Sequence, residues 1–264
     1  MKQSEKRFSY AFLLALSLAV VGGVAVDVQA AKWRITAGGS KAVPADVADT
    51  TTAGREGAPS MALHHLHLSM MNHGLAMSVE GSGLVMLSEM GMAPDFDQTT
   101  DKHGRSMLDK GKDLIERAMS GKEMKSLHDK SDTRGSMDYT HSLGKAMLVV
   151  VDLLENMSSA APESPDMTLH HMHRALNHAL AMAAEGSNLI MLGQMGMSPT
   201  VDAFSIKHGK AMIGEAQTLW NNVIDGKAMK DMMGSEETPA MAETHELAQA
   251  GMQVIDLLAE MPGR

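Results

Sequence analysis

The chain writes one stretch of roughly a hundred residues twice, and this repeat restricts its fold more than any other feature. "NHGLAMSVEGSGLVMLSEMGMAP" (72–94) returns as "NHALAMAAEGSNLIMLGQMGMSP" (177–199) at an offset of 105. "KHGRSM" (102–107) returns as "KHGKAM" at the same offset, and "MDYTHSL" (137–143) as "MAETHEL" at an offset of 104. Whatever one copy folds into, the other must fold into as well. The spacing of apolar residues predicts three helices per copy. Helix A covers about 60–90 and stops at Gly91 with Pro94 beyond it, a C-terminal stop signal. Helix B covers about 100–120, with Met107, Leu108, Gly111, Leu114, Ile115, Ala118 and Met119 on one arc. Helix C covers about 136–157, and "GKEMKSLH" (121–128) is a candidate short turn of helix before it. Helix A is apolar nearly all round, which places it and its copy near 164–196 in the middle of a bundle. β-branched and aromatic runs are scarce, and aromatics are only 3% of the chain, so sheet is not expected. The fold class is therefore all-α: tandem duplicated three-helix units, 59–157 and 167–264, joined by the Pro-containing linker 158–166.

The residues ahead of the repeats read differently. Lys2, Lys6 and Arg7 precede the apolar run 10–26, and "VQA" ends at Ala30, the pattern of a signal peptide cleaved after residue 30. Uncleaved, the same run is near the lower limit for a membrane anchor; once it is removed, no stretch is long and apolar enough to span. Residues 31–58 are rich in Ala, Gly, Thr, Asp and Pro and read as a flexible tether. The expected location is the periplasm or another exported compartment. A formal net charge of −9 argues against nucleic acid or anionic lipid surfaces as partners. The absence of Cys excludes covalent c-type haem, thiolate zinc and iron–sulfur sites. No nucleophile motif, glycine-rich phosphate loop or distinctive acid–base pair occurs, so an enzyme is not expected.

Methionine and histidine carry what chemistry there is. Met accounts for 27 of 264 residues, and twelve of the 13 His pair between the copies as 64/170, 65/171, 67/173, 73/178, 103/208 and 141/245; the thirteenth, His128, falls opposite Met233. Three candidate sites follow. The first is a helix-start cluster of Met61, His64, His65 and His67, repeated as Met167, His170, His171 and His173. Met61, His64 and His65 stand at i, i+3 and i+4 and share a face. Six residues span the step from His67 to His73 but five that from His173 to His178, so the run is rotated against the rest of its helix. This cluster is expected to be the accessible, imidazole-rich one. The second lies deeper in the sequence pattern: His73, Met77 and Glu80 at i, i+4 and i+7, with His103 and Met107 from helix B, copied as His178, Met182, Glu185, His208 and Met212. Here the alternative is a core imidazole bonded to Glu80 with Met filling gaps. The third is His141 and His245, opposite the apolar stripe of helix C.

Thioether with imidazole suits Cu(I), and imidazole alone suits Cu(II). A di-iron bundle would need inward Glu-x-x-His motifs, which are missing. In its export signal, its lack of Cys, and "MALHHLHLSMMNHGLAM" with its copy, the chain resembles bacterial periplasmic Met/His-rich copper- and silver-binding proteins, some of them helical bundles. The resemblance implies copper binding and buffering, with hand-over to an efflux or acceptor protein. Two other readings stand beside it. One is non-covalent b-type haem held between His and Met, against which the scarcity of aromatic residues counts. The other is a metal-free structural or interaction bundle.

Overall fold

Gly91 and Gly196 explain where the first helix of each copy ends. Both adopt positive φ, 63° and 69°, a conformation that glycine enters without steric cost. A computed structural model describes residues 58–91, 93–122, 124–125, 134–158, 167–196, 198–233 and 239–261. The expected signal peptide, residues 31–57 of the tether, residues 159–166 of the linker and His128 lie outside the described residues. Within them the protein is all-helical: α1 (Ala58–Glu89), α2 (Pro94–Ser120), α3 (Arg134–Met157), α4 (Met167–Gln194), α5 (Pro199–Ile224), the short α6 (Lys227–Met233) and α7 (Pro239–Ala259). None of these helices is long and apolar enough to cross a membrane.

The second helix begins earlier than its periodicity indicated. Pro94 and Pro199, beyond the end of the preceding helix, are also the first residues of the next one, where a missing N–H costs nothing. Asp97 accepts the backbone N–H of Ala93 at 2.8 Å, and Asp202 accepts that of Ser198 at 3.0 Å. Each carboxylate thus satisfies a backbone donor at the helix start. The buried face begins only at Thr100, which is why sequence periodicity alone started the helix too late.

α1 lies against α2 with backbone close to backbone. A Cβ built on Gly74 would stand 2.5 Å from the Gly111 carbonyl oxygen, and one on Gly81 would stand 2.6 Å from that of Gly104. In the second half a Cβ on Gly186 would stand 2.6 Å from the Gly209 carbonyl oxygen. The two halves dock antiparallel through α1 and α4. The Asn72 amide donates to Ser187 Oγ at 3.0 Å and Asn188 Oδ1 at 2.9 Å; the equivalent Asn177 amide donates to the Val79 carbonyl at 3.2 Å. α3 and α7 also meet, and the Tyr139 hydroxyl donates to the Leu257 carbonyl at 2.7 Å. One core runs through both halves, from Leu75, Val85 and Ile115 to Leu180, Ile213 and Trp220.

α1 and α4 occupy the middle, as their composition implied: α1 packs on α2, α3 and α4, and α4 on α1, α5 and α7. Yet neither is enclosed. Leu66, His73, Glu80 and Leu87, seven residues apart, form one exposed strip, and His171, His178, Glu185 and Leu192 repeat it at offset 105. A helix rich in Leu and Met all round can still leave one strip open, and this strip positions the site.

Candidate soft-metal grooves

Beside each exposed strip runs a groove between the first two helices of the half. On α1, His73 and Glu80 are exposed and Met77, between them, is half-buried. On α2, His103 is exposed and Met107, one turn on, is half-buried. The close approach of the helices brings the two sets together. A Cβ on Gly81 would stand 2.9 Å from Met107 Cβ, so Met107 leaves α2 next to the α1 turn that carries Met77 and Glu80. In the second half a Cβ on Gly186 would stand 3.2 Å from Met212 Cβ, beside Met182 and Glu185. His178, Glu185 and His208 are exposed, and Met182 and Met212 half-buried, the same pattern position for position. The halves differ in one respect: the His208 ring stacks on Phe204, centroids 5.7 Å apart, whereas Thr99 holds the equivalent place in the first half. None of these imidazoles is the core histidine bonded to glutamate that the sequence left as an alternative.

The helix-start cluster reverses expectation. Instead of being the accessible set, His64, His65 and His67 are 8, 9 and 5% exposed. The His64 Nε2 is hydrogen-bonded to Thr140 Oγ1 at 2.7 Å, on α3, and the His67 Nδ1 donates to the Leu63 carbonyl of its own helix at 2.7 Å. In the second half His173 is buried and its Nε2 is bonded to Thr244 Oγ1 at 2.7 Å, while His170 is half-buried and His171 exposed. Burial, aided by the nearby His170, pushes the His173 ring down to about 4, so it is neutral at pH 7. The equivalent threonines are thus held by His64 and His173, not by the pair 64/170 that letter-matching gave. Both helices are continuous, so the histidine run keeps its rotation against the rest of the helix and sends its rings to different faces. The side chains of Met61 and Met167 lie outside the described residues. His141 and His245 are half-buried, and the Gln249 amide donates to His245 Nε2 at 2.7 Å.

Among the described residues, no three His, Asp or Glu side chains converge so as to hold a metal ion. A site built from nitrogen and oxygen ligands alone is therefore not preformed there. What the grooves bring together is different: two thioethers, with an imidazole one turn from each. Sequence reasoning missed Thr140 and Thr244, although both recur in the quoted "MDYTHSL" and "MAETHEL". It also missed the glycine contacts that bring the groove's two helices together. Compared with known proteins, the chain matches no family model, no curated protein and no solved structure.

Proposed function

We propose that the protein is an exported carrier of soft metal ions, Cu(I) above all and Ag(I) by the same chemistry, held in two equivalent grooves. Met77 and Met107 supply the thioethers in the first groove, with His73 and His103 at its rim; Met182, Met212, His178 and His208 do so in the second. The observation that carries this reading is the repeated exposure pattern: in both halves two half-buried methionines stand beside two exposed imidazoles and an exposed glutamate. A monovalent d10 ion accepts two or three soft ligands and does not need the multiple nitrogen and oxygen donors that Zn(II) or Cu(II) would require. Glu80 and Glu185 add a single negative charge to each rim, favouring a cation. Exposed imidazoles at the groove edge give an entry and a route by which the ion passes to an acceptor, such as an efflux protein, while the thioethers retain it inside. The role is buffering and hand-over rather than catalysis.

The test is competition with a chromogenic Cu(I) chelator under anaerobic conditions. The Met77→Leu/Met107→Leu variant keeps side-chain volume and removes the sulfurs of one groove; Met182→Leu/Met212→Leu does so for the other. Each is expected to lose the same share of bound Cu(I), and the quadruple variant both shares. Undiminished uptake by the quadruple variant would overturn the reading.

A further inference from the structure

The first half closes, at the end away from its α1–α2 turn, on a small cluster separate from the main core. Met124 and Met137 are fully buried there, with Leu63 packed against them. His67 lies on the same side of α1 as Gly74 and Gly81, which stand seven and fourteen residues further on and rest on α2. Those two contact Gly111 and Gly104 in turn, so His67 is directed towards the C-terminal end of α2, just before Met124. Its Nδ1 donates to the Leu63 carbonyl at 2.7 Å, the residue whose side chain touches the two methionines. That bond engages Nδ1–H, and among the described residues no hydrogen bond is formed by Nε2, on a residue that is 5% exposed. A ring anchored through one nitrogen to a backbone carbonyl is oriented in the way a metal-ligating histidine is.

We propose that His67, Met124 and Met137 form an enclosed soft-metal site of one imidazole and two thioethers, distinct from the open grooves. The second half supports this by what it substitutes. At offset 105 Met172 replaces His67 and Met229 replaces Met124, at 7 and 3% exposure, and at offset 104 Met241 stands for Met137. Exchanging an imidazole for a thioether alters shape and polarity, yet preserves the ability to ligate Cu(I) or Ag(I). The proposal rests on the same soft-metal reading but on other residues, so the two can fail separately. An ion held here has no open path to water and exchanges slowly, whereas a groove ion exchanges fast.

Ag(I) titration of the full mature chain, followed by native mass spectrometry, tests it. Met124→Leu/Met137→Leu is expected to bind one Ag(I) fewer than the wild type at saturation, and the quadruple groove variant to keep at least one slowly exchanging Ag(I). Equal loading of Met124→Leu/Met137→Leu and the wild type would overturn the enclosed site, whatever the groove variant does. Should that variant not fold, wild-type protein carrying 13C-labelled methionine methyls decides instead. Ag(I) shifting the Met124 and Met137 resonances in slow exchange supports the site; unmoved resonances at saturation overturn it.

Discussion

The two halves of the bundle solve the same packing problem with different residues at several buried positions. In the first half Ile115 and Met147, both fully enclosed, fill the space between α2 and α3. In the second half the equivalent positions hold Trp220 and Gly251, and a Cβ on Gly251 would collide with the Trp220 ring. One large and one absent side chain replace two of middle size, which is how cores exchange residues while conserving volume. The α1–α2 contact shows the same freedom: Gly74 and Gly111 become Ala179 and Ala216. Exposed positions have drifted as well, Asp109 to Gly214, Lys110 to Glu215 and Glu116 to Asn221. Other exposed residues are kept, Lys102 as Lys207, Lys122 as Lys227 and Asp152 as Asp256, and the groove residues are among them. His73, Glu80 and His103 are exposed, so packing does not require them, and all three are repeated unchanged. Surface substitutions away from special features cost little, so the identity of these residues needs a reason other than stability.

The packing half of this contrast can be broken directly. Gly251→Met places the first half's residue against Trp220 and is expected to cost about 3 kcal/mol or more in urea unfolding. Trp220→Ile alone leaves a cavity and costs a similar amount, about 3 kcal/mol. Combined, they recreate the first half's pairing and should restore stability to within about 1 kcal/mol of wild type. A double variant as unstable as the sum of the two would show that the exchange is not compensated.

A smaller effect separates the halves by pH. His173 occupies, at offset 105, the position of Leu68. Folded, its ring protonates at about 4, well below the usual imidazole range because it is buried. Between about pH 6.5 and 4 the unfolded chain binds more protons than the folded one, so stability falls as pH falls through that window and levels off below it. The loss is on the order of 3 kcal/mol at most. His173→Leu, which copies the first half, should lose this component of the slope, as denaturant melts at pH 4 and pH 7 will show.

The smallest effect runs the other way. Burial, together with Asp101 and against the pull of Arg105, raises the Glu89 carboxyl to about 7. Its equivalent is Gln194, a neutral group of the same shape. The folded state then holds a proton that the unfolded chain releases, so this residue's contribution declines as pH rises from about 4.5 to 7. Glu89→Gln should flatten that component, and by less than the change at His173, because Glu89 is only half-buried. A steeper profile in the variant would refute the assignment.

Much of this architecture was legible in the letters, and for identifiable reasons. Gly91 and Gly196 announce left-handed helix ends, and the repeated apolar spacing on α2, α3 and their copies announces the bundle. What stayed hidden depends on which way a helix is turned. α1 carries so many Leu and Met that its one exposed strip does not stand out, so His73 and Glu80 read as deep. The crowding of His64, His65 and His67 near a helix start reads as surface, but Thr140 on α3 gives His64 a buried partner. Antiparallel docking of the halves rests on Asn72 and Asn177, two side chains whose role appears only once α1 and α4 are side by side.

Whether the thioethers of the two grooves hold the metal is tested most directly by methionine-methyl NMR of the protein during anaerobic Cu(I) addition. The methyl resonances of Met77, Met107, Met182 and Met212 are expected to move, the two grooves alike, while those of Met71 and Met147, enclosed in the core, are not. Four groove resonances unmoved at saturating Cu(I) would contradict it.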